Sequence, residues 1–299
     1  MRSNTSFISR SLSRITPVCL LMLALVSPLL AQAKKTGVVA TNPAPLLTRT
    51  IIRRESARLG YGGTVTLVGA PDGSITIEGW SRSEVELTAE IELRAETEDD
   101  LNRLALVNGF IFDEGPNHIR IMSTGTHDKR YLRRMAKAFP KKLLGLPWKI
   151  DYRLRVPEVI DLEVNVGRGP ISLSGVEGSL ALTATESVAR LTLSSGVVNA
   201  TVGSGKLEVK IPVRSWRGIG AELRLAAGEL NVELPPGFNG EIDASILRVG
   251  KIVDNYGELK ERTRSSITPQ IIRARAGAGG PSFKFTVVDG TITIKKTGL

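Results

Sequence analysis

From Ile150 to the end of the chain, short runs of alternating apolar and polar residues are separated by glycine at intervals of roughly eight to ten residues, a spacing typical of all-β folds. Ser179-Leu180-Ala181-Leu182-Thr183-Ala184, Ala189-Arg190-Leu191-Thr192-Leu193 and Lys206-Leu207-Glu208-Val209-Lys210-Ile211 are examples, punctuated by Gly178, Gly196, Gly203 and Gly205. The pattern returns in Glu229-Leu230-Asn231-Val232-Glu233-Leu234 and again in Thr291-Ile292-Thr293-Ile294. Period-two alternation sends one set of side chains into a core and the other into water. No run of helical period interrupts these units. Two packings suit them: antiparallel pairing into a β-sandwich, or coiling so that each strand bonds to its counterpart one turn later. Near-constant spacing, and corners that lack Asn-Gly hairpin turns, favour coiling. The expected fold is all-β: a β-solenoid or β-helix-like stack with one short helix and a basic insert, with a β-sandwich as the alternative.

The first half follows the same grammar with interruptions. Residues 34–50, with Asn42-Pro43-Ala44-Pro45, read as a flexible leader, and regular structure is expected from Ile51. Residues 51–125 hold strands and one helix. Glu84-Val85-Glu86-Leu87-Thr88-Ala89-Glu90-Ile91-Glu92-Leu93 alternates strictly. Thr97 is placed to cap a helix, with Asp100 three residues on, Glu98 and Asp99 in the first turn, and Leu101, Leu104 and Ala105 on one face before Gly109. The β-repeat region, 150–299, is expected to continue from these strands.

Residues 126–149 depart from the pattern. Lys129, Arg130, Arg133, Arg134 and Lys137 are interleaved with Tyr131, Leu132, Met135 and Phe139, and further lysines follow up to Trp148. Such a segment can lie on an anionic membrane or polymer as a basic amphipathic helix. The favoured reading is plainer: a loop with a short helix whose apolar side packs on the strands, since a helix of about three turns ending before Pro140 needs tertiary support.

The N-terminus has the layout of a secretory signal. Arg2, Arg10 and Arg14 precede an apolar run from Ile15 to Val26, Pro28 breaks it, and Ala31-Gln32-Ala33 offers the small residues of a cleavage site. Residues 1–33 are therefore expected to be a signal peptide cut after Ala33, the alternative being an uncleaved anchor. The protein is expected to be exported to the periplasm or beyond. Cys19, the one cysteine, lies inside this segment, so the remaining chain can form neither disulfides nor thiolate chemistry. Loss of three arginines brings the formal charge of +10 to about +7, ordinary solubilising charge for this length.

The Gly-x-Ile/Val/Leu-x-Leu/Val units, as in Gly169-Pro170-Ile171-Ser172-Leu173 and Gly228-Glu229-Leu230-Asn231-Val232, resemble those of a bacterial putative-adhesin family with β-strand repeats, a domain of unknown function. Val156-Pro157 before the repeats and Asp289-Gly290-Thr291-Ile292-Thr293-Ile294 at the end fit the same pattern. The resemblance spans about residues 60–296 on diffuse motifs. It departs at Glu186-Ser187, where a glycine is usual, and in the basic insert. It implies a secreted or surface-exposed β-helical protein, an adhesin by analogy, with no ligand attached to the name.

Candidate chemistry is sparse. His118 alternates with Ile119 and Ile121 and reads as an outward strand residue, and neither it nor His127 has the spacing of a helical zinc pair. Gly167-Arg168-Gly169 lacks the third glycine and helix of a phosphate loop. Outward carboxylates such as Asp161, Glu163, Glu208, Glu222, Glu229, Glu233, Glu241 and Asp243 could pair in a groove, as in carbohydrate-active enzymes. Arg214-Ser215-Trp216-Arg217 could stack on a sugar or partner, though a tryptophan beside Gly218 more often plugs a β-stack. The leading expectation is a non-enzymatic envelope or exterior scaffold or adhesin without cofactor or metal. Its surface candidates are Lys129, Arg130, Arg133, Arg134, Lys137, Arg214, Trp216 and Arg217. An envelope polymer, another protein or an anionic membrane are the partners considered; nucleic acid is not expected. A carbohydrate-active enzyme and a peripheral membrane binder are the alternatives.

Overall fold

Alternating residues become strands here, but the strands are longer than their glycines suggest. In a computed structural model, residues 45–135, 138–262 and 267–298 are described, and Ala44–Leu299 form one compact unit. The N-terminal part contains β1 (Leu47–Arg58), β2 (Thr64–Val68), β3 (Ile75–Trp80) and β4 (Glu84–Ala95). Helix α1 (Glu98–Ala105), β5 (Gly109–Gly115), β6 (His118–Thr124) and helix α2 (Lys129–Met135) follow. After a 3-10 turn at Lys141–Leu143 come β7 (Trp148–Pro157), β8 (Asp161–Arg168) and β9 (Ile171–Ser174). The long strands are β10 (Ser179–Thr192), β11 (Ser195–Lys210), β12 (Arg217–Leu234) and β13 (Gly240–Asn255). The chain closes with β14 (Leu259–Glu261), β15 (Ile271–Ala276) and β16 (Ser282–Lys296). Regular structure thus begins at Leu47, ahead of the expected Ile51, because the register of β1 on β4 runs from Leu47 opposite Ala95 to Arg58 opposite Glu84. The signal segment 1–33 and Cys19 lie outside the described residues.

All sixteen strands of the described residues join one mixed sheet system. Parallel, in-register pairing runs through its centre. Ser179 faces Val197 and Thr192 faces Lys210, an eighteen-residue step, and β8 meets β10 at the same step. The eight-to-ten-residue spacing is therefore half of the structural repeat. Units such as Ser179–Ala184 and Ala189–Leu193, read from sequence as separate strands, are the two halves of the single strand β10.

Glycine makes that continuity possible. Gly205, Gly228, Gly290 and Gly250 align across β11, β12, β16 and β13, and Gly169 lies beside Ser187, which faces Gly205; all five have positive φ. At Gly228 (φ +133°) a Cβ would stand 1.9 Å from the carbonyl oxygen of Gly205 in the next tier. Only a residue without a side chain can both turn there and stay within backbone hydrogen-bonding distance of its neighbours. At this corner the alternation shifts phase, as the exposure pattern of β10 shows at Glu186-Ser187, so both halves of a strand aim apolar residues at the same core. Ser187 takes the glycine place in its tier. It is buried, and its hydroxyl donates to Gly169 O at 2.8 Å.

The core consists of aligned columns. Ile121, Leu67, Val164, Leu182, Ala200, Leu223, Phe285, Ala244 and Ile272 succeed one another across nine strands, all buried. A second column runs Leu154, Ile77, Leu173, Leu191, Val209, Val232 and Ile294. Each large aliphatic side chain so buried contributes about 1.5–3 kcal/mol through loss of apolar surface to water. Alternate residues face outward and form charged lines, including Arg190–Glu208 at 2.8 Å and Glu233–Lys295 at 2.8 Å. Along the run of long strands from β10 to β13, spatial order departs from chain order once. β16, the last strand, lies between β12 and β13, parallel to both.

Candidate interaction surface

The basic insert is anchored by a few buried polar contacts. Asn108, just beyond α1, donates to Leu104 O at 3.1 Å and accepts from the Thr126 N–H at 2.9 Å. This ties the start of the insert to the end of the helix. Asp128 then initiates α2, its Oδ1 accepting from the N–H groups of Arg130 (2.8 Å) and Tyr131 (3.0 Å). The Tyr131 N–H is the largest cause that holds the Asp128 carboxyl below the usual carboxylate range. Leu132 and Leu143 are buried, and Lys142 reaches Asp100 at 2.9 Å. Leu132 and Leu143 therefore pack inward, whereas Met135 and Leu144 are exposed. Lys129, Arg130, Arg133 and Arg134 all project into solvent. Lys137 lies outside the described residues.

Next to the insert is a cleft of about 510 Å³ whose lining includes Asp72, Glu92, His127, Trp148, Lys149 and Arg168. His127 covers the largely buried Trp148, ring centroids 5.4 Å apart. Burial lowers the His127 pKa, and the nearby Asp128 charge opposes the shift only in part. Lys149 bridges Asp151 at 3.0 Å and Glu92 at 3.4 Å, and Arg168 pairs with Asp72 at 2.9 Å. Burial of Asp151 would raise its pKa. Hydrogen bonds from the Ser74 hydroxyl and N–H, with Lys149, outweigh that and leave it lowered. Charges in the cleft thus satisfy one another. Sequence reading missed this grouping because its members come from five separate segments, with no local motif to join them.

At the Arg214-Ser215-Trp216-Arg217 corner the structure agrees with the plug reading and removes Trp216 from the surface candidates. Trp216 is 6% exposed, its indole N–H donates to Gly196 O at 3.0 Å, and its ring meets Phe283 edge-on at 5.4 Å. Both ring faces are taken up by the stack, so it is a plug, with no surface to offer a sugar. Arg214 and Arg217 are exposed, Arg217 pairing with Glu177 at 3.0 Å. Trp216 packs on β16, whereas the insert is tied to α1 and β7, so the two candidate patches do not form one site.

Of the outward carboxylates, Glu241 and Asp243 come together, but both pair with Arg262, and Glu241 also holds Arg275. His118 is exposed on β6. Among the described residues, no three His, Cys, Asp or Glu side chains cluster as a metal site would require.

No protein-family model and no curated protein matches the chain. Among solved structures, it is similar to a putative cell adhesion protein from Clostridium sporogenes, at 12% identity over 83% of this chain and 100% of that one, TM-score 0.39. It is also similar to a putative adhesin from Bacteroides fragilis, at 10% identity over 82% and 97% of the two chains, TM-score 0.33. A putative lipid binding protein from Parabacteroides distasonis follows, at 13% identity over 81% and 96%, TM-score 0.25.

Proposed function

We propose that this chain is an exported, non-enzymatic β-solenoid that serves as an adhesin-like scaffold in the cell envelope or outside the cell. The observation that carries the reading is the parallel series β8–β10–β11–β12–β16–β13. Coiling of each tier onto the next would account for the eighteen-residue step, the glycine corner and the continuous apolar columns. Such a body is rigid without disulfides and presents long outward faces for contact, a common use of solenoid architecture. The N-terminal signal layout supports export. The pairing of Glu241 and Asp243 with Arg262 supports a structural role for those carboxylates.

The test is a binding and turnover screen. Residues 34–299, which include the compact unit from Ala44, are incubated with a panel of envelope polysaccharides and surface proteins. Retention of at least one polymer or protein with no new reducing ends or fragments is expected; bond cleavage overturns the reading. Cell fractionation should recover a chain beginning at Lys34 outside the cytoplasm, and recovery of the intact chain in the cytoplasm overturns export.

A further inference from the structure

The end of α1 and the basic insert together line an apolar groove, and helix α2, which ends in that groove at Met135, carries exposed cations. Leu106, the C-cap of α1, is 82% exposed, and Met135, the last residue of α2, is 66% exposed. They share an apolar groove of about 380 Å³ with Val107, Ala138, Phe139 and Pro140. The neighbouring acids are already committed. Asp99 pairs with Arg103 at 2.8 Å, Asp100 pairs with Lys142 at 2.9 Å, and Asp128 caps α2. Lys129, Arg130, Arg133, Arg134 and Lys141 make no ion pair among the described residues. The patch therefore combines protruding apolar side chains with several uncompensated positive charges.

We infer that this face docks on the surface of an anionic lipid bilayer, Leu106 and Met135 entering the headgroup boundary while the α2 cations meet lipid phosphates. Charge complementarity selects the occupant. A second copy of the chain, placed symmetrically, would bring the same cations face to face and repel. A globular acidic partner would need a matched contour around two side chains that stand proud of the surface. A bilayer does not, since lipid closes around whatever enters it, and Lys and Arg can lay their stems along the apolar side while the charges reach the headgroups. The inference is independent of the scaffold reading: a scaffold need not touch lipid, and this surface could dock whatever the outer faces bind.

The experiment is vesicle co-sedimentation of residues 34–299, which omit the apolar N-terminal run and contain the compact unit. Vesicles of phosphatidylglycerol with phosphatidylethanolamine are compared with phosphatidylcholine alone, at low and high salt. Binding should be at least about tenfold stronger to the anionic vesicles and should weaken with salt, as screened surface charge requires. L106D/M135D should abolish it. R130Q/R133Q/R134Q should lower it severalfold and flatten its salt dependence, and circular dichroism should show both variants folded. Equal binding of all three proteins, equal binding to both lipids, or binding to soluble polyglutamate without binding to vesicles each overturns the inference.

Discussion

Ser187 shows how much chemistry the corner of a tier tolerates. It stands opposite Gly205 and satisfies its own hydroxyl on Gly169 O, so one tier turns without glycine. Gly228 has no such latitude, because its φ is +133° and the Gly205 carbonyl occupies the place of a Cβ. Gly228→Ala should lower the unfolding free energy by at least about 1–3 kcal/mol, the usual cost of a strained backbone, with the clash adding to it. Urea denaturation measures this, and an unchanged midpoint would mean that the corner is more yielding than described. Asp151 provides the pH prediction. Its folded pKa lies below its unfolded value, so its stabilisation is complete above about pH 4 and is lost as pH falls through the folded value. Asp151→Asn should cost about 1.5–3 kcal/mol at pH 7, as for other hydrogen bonds to a charged group. Its stability should also fall less steeply than the wild type's between pH 5 and pH 3.

At the level of elements, legibility followed how local the determining interactions are. Helix α1 was readable because its signals are its own: Thr97 Oγ1 accepts from the Asp100 N–H at 3.1 Å, as the cap sequence implies. Thr97→Ala should destabilise the protein by about 1 kcal/mol, seen as a lower midpoint in thermal unfolding. Strand β4 was equally plain, since its alternation needs no knowledge of partners. The long strands were not. A glycine between two alternating runs reads as an end, and only the neighbouring tiers keep the hydrogen-bond ladder intact through Gly205 and Gly228. The insert's cations could be read directly. The exposure of Leu106 could not, because a leucine following Leu101 and Leu104 looks like core until the helix is seen to end beneath it.

For the whole molecule, the decisive contacts are the most distant in sequence. Nothing local announces that β16 enters between β12 and β13, placing Phe283 beside Ala221 on one side and Ile242 on the other. Its side chains Phe283, Phe285, Val287, Ile292 and Ile294 are all completely buried. A chain ending at Pro281 should therefore lose cooperative unfolding: β13 has no direct ladder to β12 without it, and β14 and β15 attach only through β13. Denaturant titration of that truncation should give a broad transition or none. A sharp transition near the full-length midpoint would show the tiers before β16 to be self-sufficient.

The position of β16 also sets an order in time. From β10 to β12 each strand can join its predecessor as its residues emerge, but β13, β14 and β15 must wait beside an unfilled slot for a strand made after them. The β12–β16–β13 arrangement is out of reach until β16 itself is free to move. Were the chain threaded through a narrow passage from its N-terminus, the part from β13 onward would stay unfinished, and passable, until β16 had cleared the passage.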